Sequence, residues 1–407
     1  MKHILIVGRE FSSLTNYLED HGYNYTYLQD IRLVKDPEEY KDNRILVDFS
    51  NNKFAHEALL QIKTPVDGVM TIYENYVVIT AWIAKQLNLP GMPIDAAEAC
   101  TDKNLMRQRF STAPAPISPD FKLIKSEQDI LDFSSTHSFP VIVKPTNLVK
   151  SLLVTKNSNK EELLDNYRKS LDMSNAIYKK HAPNRTPQLL IEEFLEGSTH
   201  SVDALVDNDG NPLVLDQIVD YQTGYDVGYD DNFHYSRILP SKLSPDDQQK
   251  LRECAAMGIK ALGMKNSPAH VEIIMTKNGP RLIEIGARSG GYRERMHSIA
   301  NGIDLIGASI SLAIGEKPSI KATRNDSIAV LELFPKSNGI FKELKHEKEL
   351  RKLRSLYYVS IKALPGDSIG KSSSGYKATA IIILHNANKK QFDKDLDYVN
   401  KNVSVII

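Results

Sequence analysis

The stretch Ala269-His270-Val271-Glu272-Ile273-Ile274, followed after the turn Lys277-Asn278-Gly279 by Arg281-Leu282-Ile283-Glu284-Ile285-Gly286-Ala287-Arg288, decides how the chain reads. Both runs are rich in β-formers and an Asn-Gly turn joins them, so a hairpin is expected, with His270 to Met275 paired to Arg281 to Ile285. Each glutamate sits inside an otherwise apolar strand, where an unpaired carboxylate is costly to bury. If the strands pair through the turn, Glu272 and Glu284 can lie near each other on one face. They would then supply hard oxygen ligands of the type magnesium takes beside nucleotide phosphates. Arg288 would add a fixed charge for a transferring phosphoryl group. The alternative is an amphipathic hairpin whose glutamates face solvent, with Arg288 paired to one of them.

Outward from this hairpin, the composition is that of an ordinary soluble globular protein. The chain has 407 residues, 41% apolar and 25% charged, with 51 basic against 51 acidic side chains, enough for two or three domains. Balanced charge gives no field to attract a polyanion or an anionic membrane, so small-molecule substrates are expected, without nucleic acid or membrane. Cys100 and Cys254 are far apart in sequence and show neither disulfide nor zinc spacing, which fits a reducing cytoplasm. The N-terminal Met-Lys-His-Ile-Leu-Ile-Val-Gly reads as a strand rather than a signal peptide, and no apolar run approaches the ~18 residues of a membrane span. A homodimer is the default assembly.

The first hundred residues alternate short β-rich runs with amphipathic stretches, which predicts a parallel α/β sheet over residues 1–95. Gly8 ends the first strand as in a dinucleotide fold, but the further glycines of that fingerprint are absent. After the break Leu89 to Pro93, a helical stretch runs from Ala96 to Phe110, and a strand, Val141 to Pro145, ends in Lys144-Pro145. A second strand is expected at Leu152 to Thr155, a helix at Lys160 to Ser170 and a strand at Leu189 to Leu195. Together they make a small α+β lid over about 121–197 within a unit spanning 96–320. Residues 321–407 return to strands and read as a C-terminal α+β subdomain.

His-x-Glu followed by Glu-Ile-Gly-Ala-Arg-Ser-Gly-Gly resembles the metal-binding signature of the ATP-grasp superfamily, and the upstream motifs occur in that family's order. Lys103 in Thr-Asp-Lys-Asn-Leu-Met-Arg and Lys144 in Pro-Val-Ile-Val-Lys-Pro match the two phosphate-contacting lysines. Ile191-Glu192-Glu193-Phe194-Leu195-Glu196-Gly197 resembles the hinge that holds adenine, although Phe194 and Leu195 could equally be plain core. Where the family often has a ribose-binding glutamate, this chain has Thr199 and His200. Its loop from Thr146 to Ser151 is poor in the usual glycines, leaving backbone amides and Ser151 to cover phosphates. Gly286 stands where many relatives carry a metal-binding asparagine. The signature looks most like the L-amino-acid ligases that make dipeptides, of the bacilysin-forming and carnosine-forming types.

By that resemblance the fold is an ATP-grasp fold of mixed α/β and α+β character, and the cofactors are ATP and Mg2+, with Mn2+ as an alternative. The resemblance further implies a ligase that activates a carboxylate, an amino acid, as an acyl phosphate and passes it to an amine. Metal would rest on Glu272 and Glu284, and the transferring phosphoryl on Arg288 and Lys144. Ser289, Gly290, Gly291, Tyr292 and Arg293 would surround the reacting carboxylate, with Tyr292 either a pocket wall or a packing anchor. The Tyr-, Asp- and Gly-rich segment from Tyr221 to Arg237 carries Asp226 and Asp230, candidates for a substrate cation, and His234, a candidate base. The alternative there is a solvated loop. A catalytically idle nucleotide-binding protein and a dinucleotide-dependent oxidoreductase complete the readings.

Overall fold

The computed structural model describes residues 1–34, 43–51, 53–148, 152–181 and 185–407. Its first unit is a four-stranded parallel sheet in the order Arg44–Val47, Asn24–Asp30, His3–Val7, Gly68–Met70. One face buries Leu5, Val7, Leu28 and Val47 together with Ala58 and Ile83. The other buries Ile4, Ile6 and Leu18 against Ile310 and Ala313 of a helix nearly 300 residues later, Leu305–Ala313. This second contact docks the N-terminal unit onto the rest of the chain. Gly8 has φ +127°, and a Cβ there would lie 2.7 Å from the rings of Tyr73 and Tyr76. Its missing side chain makes room for aromatic packing rather than for a pyrophosphate.

An antiparallel sheet of eight strands forms the body. Its order is Gly279–Gly286, Ser267–Thr276, Gly197–Val206, Pro212–Thr223, His234–Leu239, Ser327–Leu333, Ala380–Asn386, Leu356–Ile361. The strands expected beyond residue 321 are the last three of this sheet, and with the helix Lys389–Asn402 they enclose a core that includes Leu331, Ile382, Leu384 and Phe392. Alternation of side chains splits the sheet into two faces. Val202, Ala204, Ile218, Val271, Ile273, Leu282 and Ile285 pack against the helix Pro245–Leu262 on one side. Val219, Leu239, Ile328 and Val330 pack on the other against Met296 and Ala300 of the helix Arg293–Asn301.

The expected helix from Ala96 to Phe110 is two helices, Ile94–Thr101 and Lys103–Phe110. Asp102 breaks them: its backbone is extended and its carboxylate accepts from the N–H groups of Asn104 and Leu105, capping the second helix. The segment read as a lid, about 121–197, is a four-stranded antiparallel sheet, Phe121–Ile124, Leu189–Glu193, Val141–Pro145, Thr155–Asn157, backed by the helices Glu127–Thr136 and Lys160–His181. The strand expected at Leu152 to Thr155 begins only at Thr155, and Leu153 adopts a left-handed φ of 58° that no strand accommodates. The helix expected to stop at Ser170 runs on for another three turns, because Leu171 to His181 contains no glycine or proline to end it. Among the described residues no helix is long and apolar enough to cross a membrane.

Candidate functional site

The hairpin register sets Glu272 directly opposite Glu284, with a bulge just after Glu272. Directly opposed residues share a face, so the two carboxylates lie side by side. Their face is the one that carries the helix Arg293–Asn301, and the loop from Ala287 to Tyr292 closes over it. Lys103, first residue of its helix, reaches this pair: Nζ lies 3.2 Å from Glu284 Oε2 and donates to the Leu148 carbonyl of the lid at 3.2 Å. One ammonium thus bridges the hairpin and the lid.

Lys144 and Arg107 share Glu192, all three buried. Lys144 Nζ is 2.7 Å from Glu192 Oε2, and Arg107 Nε donates to Oε1 at 2.9 Å while its Nη2 donates to the Ile283 carbonyl at 2.7 Å. Burial pushes the Lys144 ammonium down to about 8, with Glu192 opposing the shift. Burial alone would raise the Glu192 carboxyl, but Arg107 and Lys144 outweigh it and hold it below its ordinary value. Glu192 is therefore committed to two cations, which removes its carboxylate from the set of free adenine contacts. Glu193 Oε1 accepts from the Asp120 N–H at 3.1 Å. The Phe194 ring faces Lys156, whose Nζ is 4.0 Å from its centroid, and Leu195 is half-buried.

Arg288 is steered from the N-terminal unit, its Nε lying 3.1 Å from Oε2 of Glu74, and its Nη1 donates to the Ser289 carbonyl at 2.9 Å. Glu74 is 8% exposed, and burial raises its carboxyl while Arg288 opposes. A Cβ built on Gly286 would lie 3.0 Å from Glu74 Oε2. The volume a side chain at position 286 would take is therefore occupied by the Glu74 carboxylate.

Beneath the hairpin lies a buried polar cluster. His270 Nδ1 is 2.7 Å from Asp203 Oδ1, and its Nε2 lies 3.6 Å from Glu272 Oε1. Arg293, with no exposed surface, sets Nε 3.2 Å from Asp203 Oδ2 and donates Nη2 to Ser201 Oγ and to Tyr221 Oη, and His297 Nε2 is 3.6 Å from the same Asp203 oxygen. Burial would raise the Asp203 carboxyl, but His270, His297 and Arg293 together hold it far below the usual range. Burial would lower His270, and Asp203 more than offsets it. Glu272 is likewise kept low against its burial by His270, His234 and Arg288. Gly290 belongs to this cluster, since a Cβ there would come within 2.4 Å of His270 Nδ1.

Several expected ligand contacts fall elsewhere. Arg293 faces Asp203 and Tyr221 rather than open space, because its guanidinium is the counter-charge that lets Asp203 be buried. His200 shares a face with Ile273 and Ile238, away from Glu272, and is locked between Ser198 Oγ at 2.6 Å and Asp220 Oδ1 at 2.8 Å. Asp226 accepts from the Thr223 N–H and hydroxyl, closing the turn it begins. Asp230 is 96% exposed and its nearest cation is Lys371, 3.4 Å away. Ser151 lies outside the described residues. Thr199 is half-buried opposite Ile274, and Gly291 is exposed.

Tyr292 and His234 both lie against Arg237, whose guanidinium sits over the Tyr292 ring and whose Nη1 donates to the His234 carbonyl. Tyr292 has φ 64°, a left-handed value costing a bulky residue ~1–3 kcal/mol, and its Oη donates to Glu332 Oε1 at 2.8 Å. The His234 ring lies 4.4 Å from that of Tyr221, and burial lowers its imidazole while Glu272 opposes. Sequence reasoning missed Arg107, Glu74, Asp203, Arg237 and Glu332. Asp203 and Glu332 carry the signal that exposed Glu272, an acid inside an apolar strand, and Arg107 lies one helical turn beyond Lys103. Glu74 carries no such mark.

Residues 137–295 match the ATP-grasp domain family, and residues 29–91 match the ATP-grasp N-terminal domain. The chain is an ATP-grasp protein. Within that class its likeness is to the amino-acid ligases. It is similar to the alanine–anticapsin ligase of Bacillus subtilis, 28% identical over 240 residues that cover 56% of this chain and 49% of that protein. It is also similar to carnosine synthase 1 of Mus musculus, 25% identical over 268 residues covering 63% and 32%. The L-amino acid ligase structure from Bacillus licheniformis superposes with a TM-score of 0.82 at 20% identity, covering 100% of this chain and 98% of that one. The alignments span about half the length of the first curated relatives.

Proposed function

We propose that the protein is an ATP-dependent ligase that joins the carboxylate of an L-amino acid to the amine of a second amino acid through an acyl phosphate, releasing ADP and phosphate. The observation that carries this reading is the opposed pair Glu272–Glu284 with Lys103 bound to it and the buried Lys144 nearby. Two carboxylates beside phosphates are a donor set magnesium accepts, and manganese shares the preference. When bound, the metal neutralises phosphate charge during transfer.

The chain's own groups do the rest. Lys103 and Lys144 hold phosphate oxygens, and Glu193, Phe194 and Leu195 form the hinge against adenine. Arg288, fixed by Glu74, meets the charge that develops as the γ-phosphoryl moves to the carboxylate. His234, held neutral near pH 7 by burial, can take the proton of the attacking amine. The lid over about 121–197 excludes water from the acyl phosphate. A catalytically idle nucleotide-binding protein is the second reading, favoured by the glycine-poor segment from Thr146 and by Thr199. Hydroxylamine separates the two: with MgATP and a single amino acid it should trap an amino-acid hydroxamate. Binding of ATP with no hydroxamate from any of the twenty amino acids would defeat the ligase.

A further inference from the structure

We propose that Arg237 is a specificity-determining residue that binds a non-reacting carboxylate of one substrate; this rests on the ligase reading above. Its side chain is 12% exposed, and Nη1 donates to Glu332 Oε2 at 3.0 Å and to the His234 carbonyl at 3.1 Å. The guanidinium lies over Tyr292, 5.3 Å from the ring centroid, while Glu332 also accepts from the Tyr292 hydroxyl. Glu332 thus grips both residues and fixes the plane of the fork. Among the described residues Nε and Nη2 find no hydrogen-bond partner, and neither is sealed from solvent.

The place of this free edge follows from the sheet. Glu284, Glu272, Ser201 and Val219 are opposed in sequence across the strands, and Tyr221, two residues beyond Val219, opposes Arg237. Arg237 therefore shares the face of the glutamate pair, three strand spacings from Glu272, or ~14 Å at the backbone. His234 lies beside it, its carbonyl accepting from Arg237 Nη1 and its ring 4.4 Å from that of Tyr221. A substrate lying along this face with its reacting end over Glu272 would meet Arg237 at its other end. A carboxylate accepts two parallel N–H bonds from Nε and Nη2, whereas an ammonium there is repelled. That carboxylate is either the acceptor amino acid's own or the second carboxylate of a dicarboxylic donor.

The test is phosphate release by the full chain with MgATP and the best substrate pair. Each partner is supplied in turn as the free acid and with its non-reacting carboxylate converted to a primary amide. In the wild type, amidation of one partner should cost roughly 100-fold in kcat/KM, carried mainly by KM, and the partner affected names the source. Arg237→Met should lose a similar factor with the acid and no longer distinguish acid from amide. Arg237→Lys keeps the charge and the Glu332 pair, so it should fall between the two and guards against a variant that fails to fold. Equal use of acid and amide in both arms, or a preference that survives in both variants, overturns the proposal while leaving the ligase intact. Absence of phosphate release with every pair removes the ligase reading and this proposal with it.

Discussion

Raising the pH from 7 to 9 should weaken MgATP binding about tenfold, and one side chain should account for it. Lys144 is 6% exposed, and burial disfavours its ammonium enough to bring it from 10.5 to about 8 despite the Glu192 contact at 2.7 Å. The cation that phosphate needs is therefore present below about 8 and lost above it. With that midpoint the charged fraction falls from roughly nine-tenths at pH 7 to roughly one-tenth at pH 9, a loss of ~1.4 kcal/mol in nucleotide affinity. Stability should run the other way: the unfolded lysine binds its proton more tightly, so folding gains as pH rises from about 8 to 10.5. Weaker binding at high pH then does not come from unfolding. Titration calorimetry with MgATP across this range is the assay, with Lys144→Arg as the control, since its guanidinium stays charged and the inflection near 8 should vanish. A flat wild-type profile, or the same inflection in Lys144→Arg, would refute the reasoning.

Other consequences concern neighbouring groups. Glu192→Gln leaves Lys144 and Arg107 buried with no carboxylate between them and should cost about 3–5 kcal/mol, read by urea denaturation; Glu192→Asp should recover part of it. Asp203→Asn strands Arg293 in the same way, with a loss of similar size. Gly290→Ala pushes a methyl into His270 and should lower kcat by ten-fold or more while the melting temperature moves by only a few degrees. Unchanged turnover in that variant would mean the loop is not held by this contact.

How much of this was legible depends on whether the relevant contact is local. The Glu272–Glu284 hairpin could be read because β-rich runs flank an Asn-Gly turn, but the turn register alone would set Glu272 opposite Ile283, and the bulge after Glu272 that brings it opposite Glu284 has no mark in the sequence. Lys144 stood out because it ends an apolar strand. Glu74 could not be read, since its partner Arg288 comes from a distant unit; Arg107 lies one turn beyond Lys103, but its partner Glu192 comes from a strand more than eighty residues later. Arg293 reads as a ligand contact because it follows the Gly-Gly loop, whereas the charge it faces, Asp203, comes from a distant strand. Asp226 and Asp230 look functional in a loop rich in acids and glycine. One of them satisfies its own turn, and the other faces solvent.

The central claim, that Glu272 and Glu284 serve an ATP-dependent ligation, is tested most directly by phosphate release from MgATP with the twenty amino acids, singly and in pairs, beside Glu284→Gln. Release should require amino acids, peak with particular pairs and disappear in the variant. Release that ignores amino acids, or survives in Glu284→Gln, would contradict it.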